Sequence, residues 1–395
     1  MSSSGRAGAW LVAAKVLTQL GDLLCSAKTT LPWLVLSAGG SPGLVALLVP
    51  VRESGSMLPQ LALAAWVQRI EPRTRAAIGA AMGQAVLCLA IAAAAVLLDA
   101  AWMGPAIVLG LGALALVRAL ASLANKDVLA RGVPKGARGA VNGRSTSLAG
   151  LLGVGGASAA LAVPERPDAA WMVALVVASA ALPFFASGLA LTRVSQNAEA
   201  KAPRSAADTR LRDTLRDPRL RRFLLARGLL LGSALGSPFL VSLGRDAAPG
   251  LRTLSAFVLA SGAASFLTAG LWGRLADRSG RACMGLGGAL AGGFGLVGVL
   301  ADALPGWAWP VLYFAFSVGY VGVRVGRKTY VVDLATGATR TQLVAASNTL
   351  IAVALLLAGA GLAAVTHDAT TGLAVTTAGT LLGVLACIGL PSVRA

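Results

Sequence analysis

A single histidine, His367, and four cysteines without a CxxC pair leave this sequence few of the donors that a zinc or haem site needs. Cys25, Cys88, Cys283 and Cys387 each fall in an apolar run, far apart in the chain, so neither a disulfide framework nor a metal site is expected. The same scarcity argues against catalysis by a histidine–cysteine pair or an HExxH helix, and no Walker loop is present to cradle a nucleotide. Neither a cofactor nor an enzymatic activity is expected. Charge is scarce as well. Only 13% of the residues are charged, and just 16 are acids. What the chain has instead is 56% apolar residues and a mean hydropathy of +0.75, more apolar side chain than 395 residues can bury in a soluble domain. A bilayer has to take up the excess.

A spanning helix needs about 20 mostly apolar residues to cross a hydrocarbon core of about 30 Å. By that rule spans are expected near 9–36, 42–66, 76–98, 102–124, 140–163, 170–192, 221–243, 250–272, 282–302, 307–326, 341–365 and 371–391. The fold class expected is an all-α integral membrane protein with twelve transmembrane helices. A polar stretch of mixed charge, 193–220, separates a six-helix half at 1–192 from another at 221–395. The first eight residues carry one Arg, and the apolar run behind them holds Lys15 and Asp22 and lacks a small-residue cleavage site, so no cleaved signal peptide is expected.

The formal charge of +18 would suggest nucleic acid in a soluble protein. Here position gives it another meaning. Of 34 Lys and Arg, 25 lie at the termini and in the loops after even-numbered spans, three in the opposite loops, and six inside spans. Cationic residues are retained on the cytoplasmic side. The expectation is a multi-pass protein of the cytoplasmic (inner) membrane with both termini cytoplasmic, in contact with membrane lipids, without a nucleic-acid partner, and monomeric.

Matches recur at one spacing of 206 residues. Trp66, Glu71 and Arg75 correspond to Trp272, Asp277 and Arg281; Arg118 and Asp127 correspond to Arg324 and Asp333. All fall at equivalent places in the span order, as an internal duplication requires. The run Gly273-Arg274-Leu275-Ala276-Asp277-Arg278-Ser279-Gly280-Arg281 resembles the loop signature of the major facilitator superfamily. Its earlier counterpart departs from the pattern, with Val67 for the leading Gly and Glu71 for the Asp. The resemblance covers nearly the whole chain. It implies a gating role for Gly273, Asp277, Arg278 and Arg281, with Asp277 holding Arg324 in one access state, and Glu71 with Arg118 as the corresponding pair in the first half.

An ionisable side chain at mid-membrane costs about 2.5 to 3.5 kcal/mol on insertion scales and therefore faces a cavity or a partner. Lys15, Gln19, Asp22, Ser26 and Thr30 recur at three- and four-residue spacing on one face of the first span. Glu53, Ser56 and Gln60 do the same on the second, with Arg52 beside them. These stripes are expected to line a central aqueous cavity. Glu53 is the candidate proton carrier and Asp22 the candidate partner of Lys15 or Arg144; the alternative is that both acids are permanently paired. Cations inside the spans, Lys15, Lys28, Arg52, Arg118, Arg144 and Arg227, outnumber these two acids. Such a cavity favours an anionic or zwitterionic small molecule. Asp22, Arg52, Glu53, Gln60, Arg144 and Arg227 are accordingly the expected substrate or proton pathway.

The function expected is secondary active transport by alternating access, with proton coupling as an option and the direction open. Drug or metabolite efflux by proton antiport is the alternative. Against it, the glycines of span five, Gly150, Gly153, Gly155 and Gly156, lack the Pro of the Gly-Pro motif that export families carry. A transport-inactive scaffold or receptor on the same fold is the reading from another class.

Overall fold

The computed structural model describes residues 3–59, 63, 70, 73–133, 138–161, 169–194, 218–301, 304–334 and 340–391. The secondary structure of these residues is helical. In chain order the helices are α1 (Ser3–Leu24), α2 (Thr30–Ser37), α3 (Pro42–Met57), α4 (Arg73–Leu97), α5 (Ala100–Gly132), α6 (Arg138–Leu161), α7 (Ala170–Ser179), α8 (Ala181–Thr192), α9 (Pro218–Leu229), α10 (Gly232–Leu235), α11 (Ser237–Ala247), α12 (Leu251–Arg278), α13 (Gly280–Leu300), α14 (Ala308–Leu334), α15 (Arg340–Val365) and α16 (Ala369–Ile388). Helix or a broken pair of helices lies over every expected span.

Nine spans among the described residues are long and apolar enough to cross a membrane. The three expected spans outside that count are the first, second and fifth. α1 and α3 carry Lys15, Asp22, Arg52 and Glu53, and α6 is apolar only over Leu148–Ala159. Outside the bundle, Leu97, Trp102, Leu109, Leu182 and Ile388 are each at least 70% exposed. Apolar residues this exposed on apolar helices are matched by lipid, and the chain is a multi-pass helical membrane protein.

The repeat is visible in the packing. α3 lies against α15, and its counterpart α12 lies against α6, the counterpart of α15. α4 on α5 is echoed by α13 on α14, and α3 on α5 by α12 on α14. The first and seventh spans break at matching points, after Leu24 and after Leu229. Pro32 and Pro238, again 206 residues apart, sit near the starts of the continuing helices α2 and α11. Proline has no N–H to donate to the preceding turn and is tolerated at a helix start, so each break is encoded locally. In the first span the break turns Cys25, Ser26 and Lys28 toward the interior, with the Ser26 hydroxyl accepting from the Lys28 N–H at 3.2 Å.

The last helix is capped by Asp368, which accepts from the Thr371 N–H at 2.7 Å and from its hydroxyl at 2.8 Å. These bonds hold the Asp368 carboxyl below the usual range. Asp368→Ala is expected to cost about 1 kcal/mol, seen as a lower thermal unfolding midpoint in detergent. A group with a depressed folded pKa stabilises above its unfolded pKa, so the difference between variant and parent should shrink as pH falls below about 4. An equal difference at neutral and acid pH would refute the cap.

Candidate functional site

The polar faces of the first two spans meet around one cavity of about 530 Å³. Gln19, Asp22, Ser26, Lys28, Arg52, Glu53, Ser56, Arg118, Ser122 and Arg324 line it. α1, α3 and α5 each contribute one member of a clamp. Arg52 Nη2 donates to Asp22 Oδ1 at 2.8 Å, and Arg118 Nη1 donates to Asp22 Oδ2 at 2.5 Å. One carboxylate thus holds two guanidiniums, the strong charge-assisted form of hydrogen bond. A second, longer pair sets Lys28 Nζ 3.7 Å from Glu53 Oε1.

The second half of the chain supplies the facing wall. Lys28 donates to the Tyr320 hydroxyl and lies 3.8 Å from the centroid of its ring, joining the break in the first span to α14. The Arg324 guanidinium, one turn beyond Tyr320, is 5.8 Å from the same centroid. Arg227 on α9 is buried, 5% exposed, and donates to Ser347 Oγ at 2.6 Å and Asn348 Oδ1 at 3.0 Å. With Arg324, Arg327 and Tyr320 it lines a smaller adjoining space. Glu53 is within electrostatic reach of Lys28, Arg52, Arg324 and Arg327. Cations predominate throughout.

At the other end of the spans the interior is apolar. Trp33, Phe257 and Tyr313 are buried against one another, with ring centroids 6.2 Å apart for Trp33–Phe257 and 5.2 Å for Phe257–Tyr313. Phe239 and Phe316 are buried in the same core. These residues come from the ends of the spans expected to face outside.

Several expectations need correction. Asp22 is paired with Arg52 and Arg118, not with Lys15 or Arg144. Lys15 precedes it by seven residues, about 10 Å along the helix, and lies at another level. Arg144 is exposed and is not among the residues lining the cavity. The resemblance implies that Arg118 and Arg324 partner the gating acids Glu71 and Asp277 of the loops. α5 runs on to Gly132 and α14 to Leu334, so both arginines sit at mid-helix on the cavity wall. Asp277 is exposed at the end of α12 and makes no ion pair with Arg324 in this conformation. Arg278 is exposed too, and Arg281 donates to the Leu390 carbonyl at 2.7 Å. A Cβ at Gly273 meets nothing within 4 Å; the close approach in this loop is at Gly280, where a Cβ would lie 2.9 Å from the Tyr330 nitrogen. Gln60 and Glu71 lie outside the described residues. Arg327 was missed as a site residue, although it stands three residues after Arg324 on α14.

Asp22→Asn leaves two guanidiniums facing each other without a counter-charge. The expected loss is about 2 kcal/mol, below the roughly 3 to 5 of a fully buried pair because cavity water screens the clamp. Glu53→Gln removes only a longer, wetter pair and should lower the unfolding midpoint by less. A larger effect at Glu53 would refute the clamp as the main polar support.

No protein-family model and no curated protein sequence matches this chain. Solved structures do. The nucleoside transporter NupG aligns at 11% identity over 99% of this chain and 98% of its own, with a TM-score of 0.72. A POT family transporter in complex with 5-aminolevulinic acid aligns at 13% identity over 96% and 95%, with a TM-score of 0.70. A bacterial homologue of the iron transporter ferroportin in an inward-facing state aligns at 15% over 98% of both chains, with a TM-score of 0.69. At these identities the likeness is one of fold, and it extends from end to end: the chain has the all-helical major-facilitator fold that these transporters share.

Proposed function

We propose that this protein is a secondary active transporter that moves a small anionic or zwitterionic solute across the cytoplasmic membrane by alternating access. The observation that carries the reading is the cavity: a polar space whose four cations, Lys28, Arg52, Arg118 and Arg324, exceed its two carboxylates, Asp22 and Glu53. A surplus of positive charge inside a membrane is costly unless an anion accompanies it. The fold supports the mechanism, because two related halves around a central site are the architecture of rocking-type transport. The aromatic packing around Trp33 and Phe257 closes one end, as expected of a state open to the cytoplasm.

Glu53 is the proton carrier in this reading. Its carboxylate is held by one long contact to Lys28 and borders the cavity, whereas Asp22 is committed to two arginines. Protonating Glu53 releases Lys28; protonating Asp22 would strand two cations. Both termini face the cytoplasm, the division into halves follows 1–192 and 221–395, and the protein acts as a monomer.

Ligand-dependent thermal stabilisation of the purified protein tests the substrate class. Organic anions or zwitterions should raise the unfolding midpoint, and lipophilic cations should not; the reverse would favour drug efflux. In proteoliposomes, Glu53→Gln should abolish transport driven by a pH gradient while leaving substrate exchange in place. Undiminished gradient-driven transport in that variant would remove Glu53 from the proton path.

A further inference from the structure

The two halves of the chain differ in what meets their mid-helix arginine. In the first, Asp22 sits two residues before the end of α1 and neutralises Arg118 of α5. At the 206-residue spacing, Arg118 corresponds to Arg324 of α14, and Asp22 corresponds to Gly228, one residue before the end of α9. The register is supported independently around the break by Pro32 and Pro238, and by Leu34-Val35 and Leu240-Val241. The second half therefore keeps this arginine, lacks the carboxylate, and has Val258 where the first half has the clamp's other arginine, Arg52.

The open volume beside Arg324 is that of the main cavity, about 530 Å³, whereas the space it shares with Arg227 and Arg327 is about 10 Å³, room for about one water. A Cβ built on Gly228 meets no heavy atom within 4 Å. Among the described residues Arg324 has no ion-pair partner; its guanidinium lies near the Tyr320 ring and borders the main cavity. Arg227 and Arg327 line the adjoining space with it, and Arg227 donates to the neutral Ser347 and Asn348. Glu53 lies within reach of these cations but is engaged with Lys28.

We propose that a carboxylate group of the transported solute occupies the place that Asp22 fills in the first half. It binds Arg324, with Arg227 and Arg327 adding positive potential, while Asp22 and its two arginines form the fixed counterpart across the cavity. This rests on the anionic-solute reading and assigns its chemistry: a small organic carboxylate. A planar guanidinium matches a carboxylate in bidentate geometry, as in the Asp22 clamp itself.

Gly228→Asp supplies the missing group within the chain. It should raise the thermal midpoint of the purified full-length protein, and the gain should vanish in the double variant with Arg324→Gln. Binding is then read by midpoint shift with acetate, lactate, pyruvate and benzoate, with benzamide as a neutral counterpart, and with inorganic phosphate and tetraphenylphosphonium. Carboxylates should stabilise the parent, and their apparent affinity should fall about tenfold or more in both Gly228→Asp and Arg324→Gln. Unchanged carboxylate binding in both variants would overturn the placement while leaving the anion reading intact, as would loss confined to Arg52→Gln. Stabilisation by phosphate alone would overturn the carboxylate assignment. Stabilisation by tetraphenylphosphonium alone would overturn this proposal together with the transport reading beneath it.

Discussion

The polar interior depends on one carboxylate. Asp22 receives a guanidinium from α3 and another from α5, and so ties three helices together at mid-membrane. Two arginines without it would repel each other in a region where each alone is costly. With it, one wall of the cavity is polar, ordered and close to charge-balanced. The remaining imbalance is displaced to the opposite wall, where Arg227, Arg324 and Arg327 stand. Several differences between the copies produce that asymmetry: Gly228 stands where the first half has Asp22, and Arg227 and Arg327 stand where it has Gly21 and Ala121.

The repeat itself explains why the backbone can be so regular while the chemistry is not. Helix pairings recur in both halves, and both spans that open a half break where a proline begins the continuing helix. Close packing keeps the frame. Gly287 and Gly319 let α13 and α14 approach so closely that a Cβ on the first would lie 2.6 Å from the Val323 nitrogen. Such contacts resist change because a side chain has nowhere to go. Positions facing the cavity carry no such constraint, and there the copies diverge: Asp22 against Gly228, Lys28 against Ala234.

The fold was legible because a bilayer reduces the choices. Long apolar runs can only be helices, and internal matches at one spacing point to two related halves. The charged residues of the site were legible for the same reason, since Asp22, Arg52, Glu53 and Arg227 stand out against an apolar background. Their partners were not. Pairing depends on depth and helix rotation, which sequence spacing gives within one helix but not between two. Asp22 shares a face with Lys15 yet bonds to Arg52 and Arg118, which reach it from other helices at its own level. The mid-helix position of Arg118 and Arg324 was hidden because α5 and α14, at 33 and 27 residues, extend well past the run of about 20 that a span requires.

Alternating access places different demands on contacts within a half and contacts between halves. The ion pairs of the cavity, Asp22 with Arg52 and Arg118 and Lys28 with Glu53, join helices of the first half alone. Arg227 likewise bonds within the second half. The contacts that cross are of weaker or more adaptable kinds: Ser54 Oγ donating to the Ala352 carbonyl at 2.8 Å, Lys28 against Tyr320, and Trp33 against Phe257. Separating such contacts exposes neutral or aromatic surfaces and one flexible lysine, and leaves no stranded pair of charges. A solute bearing a negative charge changes that balance. Bound against Arg324, it reduces the surplus charge of the second half and so lowers the repulsion between the two walls, and closing over the substrate then becomes easier than closing over an empty cavity.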